Sequence, residues 1–326
     1  MNNNFKFNPP PERNWDVRVD DLVVSVCVQT YQHADYIRDC LDGILMQVTD
    51  FPFELLLHDD ASVDGTVEIC REYAEKYPEI IKTIFQKENK YSQGICPFTE
   101  YQIPRARGKY IAFCEGDDYW TDTQKLQKQV EILDANKDAS ACVHDFMCYD
   151  QAKDEFLGRR NAALTSEGGV LQFDSFSFGN WIYQPLTGMI RRDLVVGIDS
   201  SPYKYWRDMH LYYILTQKGV VCYYNRCMGV YRQHGGGVHM SSNRYQRVRT
   251  DLFVWHELWL IFKSRDLQEK FFKVLNQIIV YEFRSGFKNF NDYITIFRKS
   301  CSISLTKTVS LPFRLLVRLF ARGFTC

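Results

Sequence analysis

The sequence predicts an α/β protein: a mainly parallel sheet flanked by helices, followed by a helical C-terminal region. Three observations carry this. Short β-rich apolar runs recur at 22–28, 53–57, 80–85 and 109–114. Amphipathic stretches of helical period fall between them, and that alternation at short spacing makes parallel crossovers. From Tyr245 onward the pattern turns helical and aromatic, with Phe253, Trp255, Trp259 and Phe262.

Residues 1–20, polar and proline-rich, form a flexible lead-in without a basic-then-apolar signal pattern. Leu22–Val28 is the first buried strand. Tyr36, Ile37, Cys40, Leu41, Ile44, Leu45 and Val48 then recur at helical spacing. A second strand, 53–57, runs into His58-Asp59-Asp60, and Asp64-Gly65-Thr66 opens the next helix. A strand at 80–85 and a helix over 98–107, despite Pro104, lead to the strand 109–114. That strand ends in Glu115-Gly116-Asp117-Asp118, and a helix at 124–133 follows. Beyond it, 141–149 and 220–231 read as strands around a loop-rich stretch and a helix near 207–217. The expected division is a domain over 21–240 and a helical, basic region over 241–326.

Composition excludes several classes. Net charge is zero, so nothing global points to nucleic acid, and no stretch of 18 apolar residues exists to span a membrane. The balance is uneven: from Tyr245 on, 14 Lys and Arg face six Asp and Glu, leaving the first 244 residues acidic by eight charges. Eleven cysteines, with no CxxC pair and several inside apolar runs, indicate free thiols in a reducing, cytoplasmic compartment. Within 311–324, Arg314, Arg318 and Arg322 share one helical face beside Leu315, Leu316, Leu319 and Phe320. Such a helix either docks on the core or lies at the inner face of a membrane, where it would suit a lipid-linked acceptor.

In parallel sheets ligands bind beyond the C-terminal strand ends, and there this chain places its acids. Asp59-Asp60 ends the second strand; a helix cap explains one carboxylate but not two. Three acids within Glu115–Asp118 repel one another unless a cation offsets them, and Mg²⁺ or Mn²⁺ takes carboxylates together with substrate phosphates. Tyr205-Trp206-Arg207-Asp208 precedes a helix, where Asp208 is either an N-cap or a base that accepts an attacking hydroxyl's proton. In Tyr231-Arg-Gln-His234-Gly-Gly-Gly-Val-His239, three glycines let a loop fold over a ligand, with Arg232 and the histidines facing a diphosphate.

The blocks Val24-Ser-Val-Cys-Val-Gln-Thr-Tyr-Gln-His33, Leu45-Met-Gln47, Asp59-Asp-Ala-Ser-Val-Asp-Gly-Thr66, Gly108-Lys-Tyr-Ile-Ala-Phe-Cys-Glu-Gly-Asp-Asp118 and Lys125-Leu126 resemble the family 2 glycosyltransferases of the GT-A fold. The resemblance spans about residues 22–240. It implies inverting transfer from a nucleotide sugar, by default a UDP-sugar, to a hydroxyl of a glycan or lipid-linked acceptor. It assigns Thr30, Tyr31 and Asp60 to the nucleotide, and Asp117 to a Mn²⁺ or Mg²⁺ ion. Glu115 stands where that metal motif begins, facing metal or ribose. His234, or else His239, completes the site, and Asp208 is the base. Arg105 and Arg107 stand in for a missing Arg-Asn pair near Thr99-Glu100, with Trp206 and Arg232 as further substrate contacts. Glu115 replaces the usual Asp and Arg207 the usual Glu. These departures keep open a non-catalytic nucleotide-sugar-binding module. A nucleotidyltransferase is the other alternative, though no GxGxxG or phosphate loop is present.

Overall fold

A computed structural model describes residues 7, 9–13, 22–174, 184–204, 206–236, 243–285 and 290–304. The expected segment 311–324 and His239 lie outside these residues. The chain forms two compact units, one from 1–200 and 211–234, the other from 201–210 and 235–326. The second unit thus also takes the ten residues 201–210 from within the expected 21–240 domain.

In the first unit β1 (Val24–Thr30), α1 (Ile37–Leu45), β2 (Phe53–Asp59), α2 (Thr66–Lys76) and β3 (Ile81–Phe85) alternate before β4 (Tyr110–Glu115). They continue into β5 (Tyr119–Trp120), α3 (Lys125–Ala135), β6 (Ala139–Asp150), β7 (Glu155–Arg159), β8 (Val170–Phe173) and β9 (Met189–Arg191). After α4 (Asp208–Thr216) the long β10 (Val220–Gln233) closes the sheet. Strand order is β3-β2-β1-β4-β9-β6-β10-β5, with β7 on β6 and β8 on β10. The segment β3-β2-β1-β4 is parallel throughout. The other half is mixed: β6 and β10 run parallel while β5, β7, β8 and β9 pair antiparallel. The four short strands were not foreseen, because runs of two to five residues carry too little periodicity to register.

Alternation explains the packing. Val24, Val26 and Val28 of β1 join Leu55 and Leu57 of β2 and Ile37, Cys40, Leu41 and Ile44 of α1 in one buried core. Each such Leu or Ile contributes roughly 2 kcal/mol by leaving water. The opposite face carries Ser25, Gln29 and Glu54 and is covered by the segment before β4. There the expected helix is broken into a π-turn, Phe98–Gln102, and a 3₁₀ turn, Ile103–Arg105. Pro104 cannot donate a helix hydrogen bond, which accounts for the break. Buried Gln102 ties this cover to the sheet by donating to the carbonyls of Val28 and Leu56.

The chain leaves β1 for β2 on one side and returns after β3 to β4 on the other. The C-terminal ends of β1 and β4 therefore flank the switch point where such sheets bind ligands. In the second unit, α5 (Arg244–Phe262), α6 (Arg265–Ser285) and α7 (Phe290–Ile303) form the helical region. Asn243 and Gln246 make a reciprocal capping box at the start of α5. Among the described residues no helix is long and apolar enough to cross a membrane.

Candidate active site

Parallel register sets Thr30 beside Asp59 and Gln29 beside Glu115, so the loops after β1, β2 and β4 leave the sheet together. The Asp60 N–H donates to the Thr30 carbonyl (3.0 Å), and the Gly116 N–H to the Gln29 carbonyl (2.8 Å). The acidic block after β2 clamps the loop after β1. Three consecutive amides, Gln32, His33 and Ala34, donate to Ser62 Oγ (2.9 Å), Thr66 Oγ1 (2.9 Å) and Asp64 Oδ2 (3.0 Å). Asp59 holds this clamp through the Ser62 N–H (2.9 Å) and hydroxyl (2.5 Å). Asp60 instead accepts the Lys90 (2.8 Å) and Tyr91 (2.9 Å) amides and organises the loop after β3.

At the end of β4 the three acids part company. Glu115 is exposed, Asp118 is buried, and Asp117 faces two imidazoles. His234 Nε2 lies 3.0 Å from Asp117 Oδ2 and His33 Nε2 lies 3.7 Å from the same oxygen. One donor atom from each of these three residues falls within 4.8 Å of the others, a set that one ion could bridge. Two imidazole nitrogens and a carboxylate suit a divalent cation. Burial alone would raise the Asp117 pKa, but the His234 hydrogen bond and the charges of His33 and His234 lower it below the usual range. Burial also lowers the His33 pKa, which favours the neutral ring whose nitrogen can bind a metal. Asp118 is pushed well above the carboxylate range by burial and by the charges of Asp117 and Glu115.

Gly116 permits this approach. A Cβ there would stand 2.6 Å from Thr30 Oγ1 and 2.9 Å from His33 Nδ1. Arg232 supports the cluster from behind, its guanidinium donating to the Asp117 carbonyl (2.9 Å), Asp39 (2.6 Å) and Gln151 (3.1 Å). It lies between the rings of Tyr36 and Tyr119, with centroids at 4.9 and 5.1 Å. Its own N–H donates to Asp118 Oδ1 (2.8 Å).

The structure thus brings Thr30, Asp117 and His234 together, with Asp60 at the adjoining strand end and Tyr31 exposed in the same loop. Glu115 is not in the set that could hold an ion; His33, to which the sequence assigned no role, is. Its position just past β1 was the available signal. Arg232, expected on substrate, is bound within the protein. Arg107 donates through its N–H (3.0 Å), Nε (3.0 Å) and Nη2 (2.6 Å) to buried Glu54, which pairs in register with Ser25 at the start of β1. That is five residues, roughly 17 Å, from Asp59 at the other strand end. Arg105 and Arg107 line a cavity of about 270 Å³ with Glu54, Leu56 and Lys82.

Asp208 and Trp206 belong to the second unit. There Trp206 stacks on buried His210, whose Nδ1 accepts the Arg207 N–H (3.1 Å) just before exposed Asp208. On α5, Asp251 is raised to about 6 by burial, with Arg207 opposing and Asp208 adding to the shift.

A β1-centred parallel sheet with an acidic turn after β4, extended by a mixed half, is the GT-A architecture of glycosyltransferase domains. Residues 25–197 match the family described as Glycosyl transferase family 2, and the chain belongs to that family. It is 34% identical over 226 residues to an uncharacterized protein of Mycobacterium tuberculosis, covering 67% of this chain and 61% of that relative's length. It is 29% identical over 237 residues to TuaG of Bacillus subtilis, a glycosyltransferase named for teichuronic acid biosynthesis, covering 72% of this chain and 88% of TuaG. The fold is similar to Staphylococcus aureus TarS 1-349 in complex with UDP (TM-score 0.58, 16% identity, 89% of this chain and 83% of that one). It is also similar to the mannosyltransferase PcManGT of Pyrobaculum calidifontis in complex with GDP-Man and Mn²⁺ (TM-score 0.56, 18% identity, 94% and 84%).

Proposed function

We propose that this chain is a metal-dependent inverting glycosyltransferase, moving a sugar from a UDP-sugar to a hydroxyl of a glycan or lipid-linked acceptor in surface-polysaccharide assembly at the cytoplasmic side. The observation that carries the reading is the meeting of Asp117 and His234 at the C-terminal end of β4, beside Thr30 and the Asp60 loop. Asp117 and His234 would hold Mn²⁺ or Mg²⁺, which when bound offsets charge on the departing diphosphate. A GT-A neighbour that holds Mn²⁺ and GDP-Man and another that holds UDP support a nucleotide-sugar donor. TuaG supports the polysaccharide setting. Thr30, Tyr31 and Asp60 contact the nucleotide, and Asp208 accepts the acceptor's proton as its oxygen attacks the anomeric carbon from the face opposite the leaving group.

Nucleoside diphosphate release from a panel of nucleotide sugars, with Mn²⁺ or with EDTA, tests the reading. Metal-dependent release with one donor, lost in Asp208→Asn while donor binding persists, is the expected result. Release of pyrophosphate, or turnover unaffected by EDTA, would refute it.

A further inference from the structure

Resting on that reading of the cation site, we propose that His33 is a third protein ligand, closing a face of two imidazoles and one carboxylate that selects transition-metal ions over Mg²⁺. The loop that carries His33 is fixed by three successive amide hydrogen bonds to Ser62, Thr66 and Asp64. Its ring lies where a Cβ on Gly116 would collide with Nδ1. The imidazole is thus held in place, yet its nitrogens make no hydrogen bond: Nδ1 is buried without a partner, and Nε2 stands 3.7 Å from Asp117 Oδ2. A histidine serving only to orient Asp117 would close that gap, as His234 does at 3.0 Å.

The two spacings to Asp117 suit metal ligation. Donors about 2.1 Å from one ion lie about 3.0 Å apart at a right angle and about 3.7 Å apart when splayed toward 120°. Asp117 shows both separations, 3.0 Å to His234 and 3.7 Å to His33. Mg²⁺ prefers oxygen ligands and retains its water, whereas first-row transition ions accept nitrogen donors with affinity rising from Mn²⁺ through Co²⁺ toward Zn²⁺. A second imidazole therefore widens the gap between the two classes of ion. Phosphate oxygens of a bound donor would supply further ligands.

Mn²⁺ and Mg²⁺ would be titrated calorimetrically into the full chain, its His33→Ala and His33→Asn variants, and Asp117→Asn. Pulsed EPR on the Mn²⁺ complexes would count coordinated ¹⁴N nuclei. Two imidazole nitrogens are expected in the wild type and one in the His33 variants. Mn²⁺ affinity should fall about tenfold or more while Mg²⁺ affinity barely moves. Melting curves in EDTA check that each variant is folded. A single nitrogen in the wild type overturns the proposal without recourse to any variant. Unchanged Mn²⁺ binding in the His33 variants, with binding lost in Asp117→Asn, overturns the role of His33 but leaves the cation site standing. Unchanged binding in Asp117→Asn as well overturns the site itself.

Discussion

Replacing Arg232 with Met tests whether the cluster depends on the support behind it. The methionine keeps an unbranched stem, and the main-chain bond from residue 232 to Asp118 survives. What disappears is the guanidinium, with its bonds to the Asp117 carbonyl, Asp39 and Gln151 and its stacking between Tyr36 and Tyr119. A charged bond to a buried carbonyl is worth about 1.5–3 kcal/mol and each ring about 0.5–1 kcal/mol. The Asp39 carboxylate is 41% exposed, so solvent screening limits that pair to under about 1 kcal/mol. Methionine recovers part of the ring contact, leaving an expected loss of about 2–4 kcal/mol in urea unfolding with EDTA present. Because the Asp117 carbonyl is released, Mn²⁺ affinity should fall by roughly tenfold at temperatures where the variant is still folded. Arg232→Lys, which keeps the charge but not the fork, should fall between. A stability loss below about 1 kcal/mol with unchanged Mn²⁺ binding would refute the supporting role.

Lys125, fully buried over the Trp120 ring (3.8 Å) with Gln129 as its partner (2.8 Å), is lowered from 10.5 to about 7 by burial. Between those values the unfolded chain holds a proton that the native chain does not, so stability rises with pH; below pH 7 the full cost of the buried charge is present. Relative to Lys125→Met, the wild type should gain about 2–3 kcal/mol between pH 7 and 9 in parallel denaturation series, and superimposable pH trends would disprove it. Asp118→Asn swaps a buried carboxyl whose pKa is pushed well above the usual range for a neutral isostere, so Mn²⁺ affinity should persist there and vanish in Asp117→Asn; calorimetry showing the reverse would exchange their roles. Gly116→Ala should weaken Mn²⁺ binding by pressing Thr30 and His33 aside, and a crystal structure with both side chains unmoved would contradict this.

Much of the parallel half was legible because its strands are long enough to show alternation and its helices carry a clear apolar face. Phe53–Asp59 and Tyr110–Glu115 each end at the acids the sequence pointed to. The short strands β5, β7, β8 and β9 were not legible, since their pairing is decided by β6 and β10, which are distant in sequence. The same non-locality hid His33: no motif around it marks a ligand, and only folding brings it to Asp117, 84 positions away. Arg107 failed for the opposite reason. A basic residue before the acidic strand suggested phosphate, but Glu54, which no local pattern links to it, takes its guanidinium.

Three acids in four residues first suggested a site that only a cation could hold together. The strand end relieves the repulsion differently, sending Glu115 to solvent, burying Asp118 so that its pKa rises and its neutral form is favoured, and pairing Asp117 with imidazoles. Neighbouring carboxyls whose surroundings drive their pKa values apart mark a division of labour. Asp117 keeps its charge between the two imidazoles, where a cation can reach it. On the proposed reading a divalent cation there meets one carboxylate and two neutral rings, leaving one positive charge unmatched. A diphosphate supplies what is missing, so cation and donor must tighten each other's binding by the same factor. On that reading the turn after β4 would favour the cation and the sugar nucleotide together over either one alone.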